Sequence, residues 1–186
     1  IIDKALKSSE PSSTIDREMN SVYKKNTFKQ IPRQNKKVTN KRFVDAIRDC
    51  IFDKMSSDSK VLIMGQDIAE YGGVFKVTEG LMDKFGSDRV RNTPIIESGI
   101  IGAAMGLAIE GFKPIVEMQF ADFVSVGFNQ IVNNLAKTFY RWNQPINVTL
   151  RLPTGGGIGA GPFHSQSNES WFFHVPGLKL VYPSNP

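Results

Sequence analysis

Helical and strand-like hydrophobic patterns begin near residue 39 and then alternate along the chain. Apolar residues recur at helical spacing from Phe43 to Met55, which predicts a helix with Cys50 on its buried stripe. Further helices are predicted at 78–85, 98–110 and 122–140, and strands at 61–64, 114–118, 146–152 and 178–182. This alternation predicts an α/β fold, a doubly wound and mostly parallel sheet with helices on both faces.

The N-terminal stretch has a different pattern. Pro11 to Thr14 is a helix-start signal ahead of 15–23, whereas 24–38 is polar and basic and lacks periodic apolar residues. We therefore divide the chain into an N-terminal segment (1–23), a basic linker (24–38) and a folded domain (39–186). A nucleic-acid-binding arm is the alternative interpretation of the linker, but no aromatic–basic interleaving supports it.

Charge and composition narrow the function classes. The net charge of +5 is the sum of +7 over residues 1–42 and −2 over the rest, so it does not predict nucleic-acid binding by the domain. One cysteine excludes an internal disulfide framework, and two histidines leave little scope for a histidine-rich metal site. The chain begins with Ile and stops just after a predicted strand, so we expect it to be a piece of a longer protein.

Glu97 opens a glycine-rich predicted helix and is flanked by isoleucines. Such a carboxylate is either a helix-start residue favoured by the helix dipole or, in an apolar setting, a group that exchanges a proton with a ligand. Gly99, Gly102 and Gly106 follow on one face of this helix, where glycine is costly. Close approach of another backbone, at an interface, would explain them.

Two loops after predicted strands carry further candidates. Segment 154–161 formally matches a dinucleotide fingerprint, but prolines flank it and no helix follows, so we favour a mobile loop over a site. His164 at its end is either an acid–base group or a surface histidine. In Phe120-Ala-Asp-Phe123, a ring is placed to stack on a flat ligand.

Resemblance to a known family is carried by GQDIAEYGGVFKVTEGL, FGSDRVRNTPIIESGIIGAAMGLAIEG and FHSQSNESWFFHVPGLKLVYPSNP. These motifs, across about residues 40–186, resemble the beta subunit of the thiamin diphosphate-dependent decarboxylating component of 2-oxo acid dehydrogenase complexes. The resemblance implies that 39–186 is a pyrimidine-binding domain, cut before a C-terminal domain. It also implies that 1–23 is the tail of an alpha-type half in a fused alpha–beta chain.

Individual roles follow from the resemblance. Glu97 would hydrogen-bond the pyrimidine ring nitrogen of thiamin diphosphate and so help the cofactor lose its thiazolium proton. Ile95 would line the pyrimidine pocket, and Phe123 would stack on the pyrimidine. His164 would help to stabilise intermediates and assist acyl transfer to lipoamide.

The resemblance also implies what lies outside the chain. No Gly-Asp-Gly motif with a downstream Asn occurs, so Mg2+ and the diphosphate are expected on an alpha-type partner, and this piece alone should be inactive. Val148 and Thr149 match a segment that offers carbonyls to a structural potassium ion. Expected partners are an alpha-type subunit or domain, a second copy, the lipoyl acyltransferase core and a small 2-oxo acid, in a bacterial cytoplasm. Neither nucleic acid nor a membrane is expected.

The implied function is decarboxylation of a branched-chain 2-oxo acid, with transfer of the acyl group to lipoamide. One alternative is a pyruvate or acetoin dehydrogenase component. Another is a transketolase-like enzyme, which should lack the His164-Ser-Gln-Ser run. The non-enzymatic alternative is a degenerate scaffold domain, and the presence of both Glu97 and His164 argues against it.

Overall fold

The structure, a computed structural model, describes residues 1–25 and 40–184. Most of the predicted basic linker (24–38) lies outside these residues. Within the described ranges, no helix combines the length and the apolar character that crossing a bilayer requires.

A parallel sheet forms the centre of the domain, as predicted. Its strands in the described residues are β1 (Val61–Gly65), β2 (Val90–Asn92), β3 (Lys113–Glu117) and β4 (Thr149–Arg151), in the order β2-β1-β3-β4. Every pairing is parallel. Sequence patterning missed β2, because two of its three residues are exposed and leave no apolar run to detect.

Helices cover both faces of this sheet. The α-helices of the described residues are α1 (Ile2–Leu6), α2 (Ile15–Val22), α3 (Phe43–Ser57), α4 (Leu81–Phe85), α5 (Glu97–Ile109) and α6 (Ala136–Trp142). Side chains of β1 alternate between the two faces, since Ile63 packs in one cluster with Met55 of α3. Met64 packs in another cluster with Ala104 of α5. The doubly wound arrangement is confirmed.

Two predicted helices differ from the observed ones. The helix at 78–85 is shorter and begins at Leu81, because Gly80 before it has a left-handed φ of +77° that is incompatible with a right-handed helix. Buried Thr78 donates its hydroxyl to the Ile68 carbonyl at 2.7 Å. The helix at 122–140 is three pieces, namely a 3-10 turn (Ala121–Ser125), a π-helical turn (Gln130–Leu135) and α6. Apolar periodicity does not separate these helix types, because they differ by only one residue in the spacing of their backbone hydrogen bonds.

Two further predictions are wrong. Cys50 is exposed, because the buried stripe of α3 runs through Ile47, Ile51 and Met55, and Cys50 lies one position outside it. Residues 178–182 form no strand, since they pair with none of the described strands and Val181 is largely exposed.

The N-terminal segment packs on the domain. Thr14 caps α2 by accepting a hydrogen bond from the Arg17 amide at 3.2 Å, as the helix-start signal predicts. The Tyr140 hydroxyl of α6 donates to the Glu18 carboxylate. Hydrogen bonds from Ser13 and then from Tyr140 lower the pKa of Glu18, and the bond to Glu18 raises the pKa of Tyr140. The Tyr23 hydroxyl donates to the Leu178 carbonyl at 3.2 Å. The proposed boundaries at 23 and 38 stay predictions.

Candidate active site

Four aromatic rings meet beyond the carboxyl ends of the strands. The Phe120 ring lies 5.7 Å from Phe75, 5.8 Å from Phe123 and 4.9 Å from His164, all edge-on. The Phe123 and His164 centroids are 5.5 Å apart. Phe75 follows β1, the two other phenylalanines follow β3, and His164 follows β4, so parallel strands deliver all four rings to one edge of the sheet.

This edge includes the point where the strand order changes direction. The chain leaves β1 towards β2 on one side, whereas β3 and β4 lie on the other. Across that boundary, Gln119 donates its side-chain amide to the Asp67 carboxylate at 3.0 Å. Open α/β sheets bind ligands in the crevice at such a switch point. The aromatic cluster is therefore where a ligand is expected.

Three carboxylates are buried in the described part of the chain, and they differ in their partners. Glu117 on β3 accepts two hydrogen bonds from the Arg151 guanidinium on β4. Burial raises the pKa of Glu117, and the guanidinium opposes that rise. Asp122 accepts a hydrogen bond from the Gln166 amide at 3.1 Å. Glu97, only 9% exposed, accepts no hydrogen bond from any described residue.

The Glu97 carboxylate also keeps an opening to the outside. Two side-chain oxygens of the described residues are fully buried and have no hydrogen-bond partner, namely Thr93 Oγ1 and Glu169 Oε2. The carboxylate oxygens of Glu97 also lack a partner but are not fully buried, so they remain accessible from outside. Glu97 is the first residue of α5, where the helix dipole favours a negative charge. An open but nearly buried acceptor suits a hydrogen-bond donor from a ligand, because an unpaired buried carboxylate is costly.

The isoleucines around Glu97 contribute less apolar cover than the sequence suggests. Ile100 is buried, but Ile95 is 82% exposed and Ile96 is 52% exposed. The pocket-lining role of Ile95 stays a prediction.

The structure brings some candidate residues together. Phe123 and His164 are in direct ring contact. Glu97 adjoins the segment after Phe123, since a Cβ added at Gly127 would lie 3.7 Å from the Glu97 carbonyl. Val148 and Thr149 lie at the start of β4, away from the cluster at the strand ends.

Sequence reasoning missed Phe75 as a member of the site. Its position depends on a tight loop in which Gly72 and Gly73 both have a φ of +78°. A Cβ at Gly72 would lie 2.9 Å from the Glu79 backbone, so only glycine fits this turn. The adjacent glycines after a buried strand are the signal that could have identified the loop.

Comparisons with known proteins agree with this fold. Residues 40–186 match the family described as transketolase, pyrimidine binding domain. A solved structure titled "Split gene transketolase, inactive beta4 tetramer" aligns with a TM-score of 0.53 at 19% identity, over 71% of this chain and 39% of that one. At that identity, the likeness supports the fold alone.

Curated relatives are much more similar in sequence. The chain is 50% identical over 145 residues to "3-methyl-2-oxobutanoate dehydrogenase subunit beta" of Mycobacterium tuberculosis, covering 77% of this chain and 42% of that protein. It is 47% identical to "2-oxoisovalerate dehydrogenase subunit beta" of Bacillus subtilis, with coverages of 77% and 45%. It is 46% identical to "Pyruvate dehydrogenase E1 component subunit beta" of Leifsonia xyli, with coverages of 77% and 43%.

The chain thus spans less than half the length of these curated relatives. The resemblance seen in the sequence motifs is confirmed. With a family model that matches all residues from 40 onward, the chain belongs to the transketolase pyrimidine-binding domain family.

Proposed function

We propose that this chain supplies the pyrimidine-binding half of the active site in a thiamin diphosphate-dependent 2-oxo acid dehydrogenase of the branched-chain type. The observation that carries the proposal is Glu97. Of the three buried residues Glu97, Glu117 and Asp122, it is the one whose carboxylate has no hydrogen-bond partner among the described residues, and it stays open to a ligand.

The residues present fit the pyrimidine part of this cofactor. When bound, thiamin diphosphate supplies the electron sink that allows a 2-oxo acid to lose carbon dioxide. Glu97 would share a proton with the pyrimidine ring nitrogen, because its nearly buried carboxylate has no other hydrogen-bond partner among the described residues. Half-buried Phe123 would offer apolar surface to the pyrimidine ring, and Ile95 would line the same pocket.

His164 would act on the substrate. It is half-buried and contacts Phe120 and Phe123, so one side of the imidazole is shielded from water. From this position it would donate a hydrogen bond to an oxygen of the reacting 2-oxo acid and later assist acyl transfer to lipoamide. Apolar walls around it strengthen such a hydrogen bond.

The outer face of α5 supports a role for partner subunits. Gly99, Ala103 and Gly106 are exposed there, and a Cβ added at Gly106 would meet nothing within 4 Å. The described chain therefore gives no packing reason for glycine at 106. We propose that this face, with Gly102 at its border, lies against a second copy or an alpha-type partner.

The remaining partners follow from the same assignment. The alpha-type partner would bind Mg2+ and the diphosphate, so this piece alone would bind the cofactor weakly and be inactive. The lipoyl acyltransferase core would accept the acyl group, and the enzyme would work in a bacterial cytoplasm. The carbonyls of Val148 and Thr149 would contribute to a structural potassium site.

A branched-chain substrate suits the apolar wall of Phe75, Phe120 and Phe123. Pyruvate is the second candidate, because the relative from Leifsonia xyli that carries that name is 46% identical. One methylene in an apolar pocket is worth only about 1–3 kcal/mol, so the two substrates require direct comparison.

The test uses the full-length enzyme with its partner and cofactor. Decarboxylation of 3-methyl-2-oxobutanoate and of pyruvate is followed with a dye acceptor for the native enzyme and for Glu97→Gln. Loss of a proton-sharing group should lower kcat by about 10²–10⁴-fold. Glu110→Gln, at the exposed end of the same helix, is the matched control and should retain activity.

Full activity in Glu97→Gln would remove Glu97 from its assigned role. A native enzyme that turns over neither substrate would instead favour the transketolase-like or scaffold alternative. The ratio of kcat/KM for the two substrates decides between the branched-chain and pyruvate types.

A further inference from the structure

The glycine-rich loop that carries His164 is closed on itself at one residue, Gln166. The Gln166 carbonyl accepts hydrogen bonds from the Gly155 amide at 3.2 Å and from the Thr154 hydroxyl at 2.9 Å. These contacts join the two ends of the loop, so His164 lies inside a closed segment. Five glycines fall between 155 and 161, so holding this segment in one conformation is entropically costly.

One side chain outside the loop ties it to the domain. The Asp122 carboxylate accepts a hydrogen bond from the backbone amide of Gln166 at 3.1 Å. Within residues 1–25 and 40–184, no other hydrogen bond joins 154–167 to a side chain elsewhere. Asp122 is 7% exposed, whereas most of the loop is exposed. The anchor is therefore buried and the anchored segment lies at the surface.

The anchor lies on the same short turn as a ring of the site. The 3-10 turn Ala121–Ser125 contains both Asp122 and Phe123, and the Phe123 ring contacts His164. Buried Asn168, just past the loop, donates its side-chain amide to the Ala121 carbonyl at 3.2 Å, which secures the same turn. The turn therefore contacts the loop twice, because Asp122 accepts a hydrogen bond from the loop backbone and Phe123 contacts the His164 ring.

We propose that Asp122 is a positioning residue that sets His164 against the aromatic cluster by anchoring the Gln166 amide. A hydrogen bond to a buried carboxylate is stronger than one to a neutral acceptor. Without it, the loop would occupy many conformations, and the fraction with His164 in place would fall. Activity falls with that fraction. The proposal rests on the role of His164 in the proposed function.

The test compares four variants of the full-length enzyme. Asp122→Ala removes the anchor, and Asp122→Asn keeps an acceptor oxygen without the charge. Thr154→Val opens the loop closure without changing the buried carboxylate. Ser125→Ala is the matched control, because its hydroxyl donates to the Asp122 carbonyl in the same turn and makes no hydrogen bond with the described loop residues.

Three quantities are measured, and only the first requires turnover. They are kcat, the Kd for thiamin diphosphate, and the rate at which diethyl pyrocarbonate modifies His164, with the modified site identified by mass spectrometry. Asp122→Ala should lower kcat about 10- to 100-fold, the effect of losing a hydrogen bond to a charged group. Its His164 should react faster, whereas the Kd for thiamin diphosphate should change less than about twofold, because Glu97 is untouched.

Asp122→Asn and Thr154→Val should show the same two effects at smaller size, and Ser125→Ala neither. An Asp122→Ala enzyme with native kcat and native His164 reactivity would overturn the proposal. So would a parallel loss of cofactor affinity in both Asp122 variants, which would indicate general damage to the fold. If Asp122→Ala does not fold, native His164 reactivity in both Asp122→Asn and Thr154→Val overturns it. If the native enzyme lacks dehydrogenase activity, the proposed function fails, while His164 reactivity still tests the anchor.

Discussion

Helices α3 and α5 pack on opposite faces of the same strand, yet their outer faces differ. The inner faces are alike, with Met55 of α3 and Ile101 of α5 both fully buried. The outer face of α3 is charged, and Arg42 and Arg48 both pair with Asp45. A charged surface of this kind normally faces solvent.

The outer face of α5 consists of small and apolar residues. Among the thirteen residues of helix α5, Glu97 is the charged one and Ser98 the polar one, and both lie in the first turn of the helix. Ile109 at the far end is exposed as well. A helix that is apolar all round is normally buried. The contrast with α3 supports the proposal that the α5 side of the domain lies against a partner, whereas the α3 side faces solvent.

The largest effects should come from the inner faces, where the two helices are equivalent. Met55→Ala and Ile101→Ala each remove a fully buried side chain, so each should lower the free energy of unfolding by about 2–5 kcal/mol. Urea unfolding of this chain followed by circular dichroism measures both. A loss below about 1 kcal/mol in either variant would contradict the full burial of that side chain.

A leucine on the outer face of α5 should separate chain stability from assembly. Nothing lies within 4 Å of a Cβ at Gly106, so Gly106→Leu should stabilise the helix by up to about 1 kcal/mol through propensity. In the full assembly the same side chain should clash at the interface and weaken association by about 1–3 kcal/mol. Urea unfolding of the chain and sedimentation of the assembly should therefore move in opposite directions.

The matched control for this experiment lies on α3. Asp53 is exposed, and Asp53→Leu places the same side chain on the charged outer face. Sedimentation of this variant should equal that of the native assembly. Unchanged sedimentation of Gly106→Leu as well would end the interface assignment for α5.

The fold was largely predictable because fully buried parallel strands appear as continuous apolar runs. Val61 to Met64 and the strand near Pro114 were identified this way. The apolar pattern carries less information where few residues are buried, as in β2, and it has a resolution of about one position, as Cys50 shows. Burial of α3 depends on how the helix is rotated against β1, which local spacing does not determine.

The candidate site was predictable only at residues that are chemically distinctive and also lie in a motif of the family. Glu97 and His164 stand out chemically, and the ring contact between Phe123 and His164 agrees with their joint assignment to one site. Phe75 depends on two left-handed glycines that turn the loop back to Phe120. The bond from Gln166 to Asp122 spans 44 residues and has no periodic signature. Contacts of this kind arise from tertiary packing.

The smallest expected effect is the part of the acid dependence of stability that arises at the charged face of α3. The Arg42 guanidinium, hydrogen-bonded to Asp45 at 2.7 Å, lowers the pKa of that carboxyl in the folded chain. A carboxyl with a depressed folded pKa contributes stability above its unfolded pKa of about 3.9 and loses that contribution as the pH falls through the folded value. Asp45→Asn should therefore lower stability at pH 7 slightly and flatten its decline below about pH 4.

Urea unfolding at pH 7 and at pH 3, in low and in high salt, measures this effect. The difference between native and Asp45→Asn chains should shrink in high salt, because the pair lies near the surface where ions screen it. Ala103→Ser on the outer face of α5 is the control, since it adds no titratable group and should leave the pH dependence unchanged. An acid dependence that Asp45→Asn does not alter would place it elsewhere, for example at Asp58, whose pKa is lowered by its hydrogen bond from Lys113.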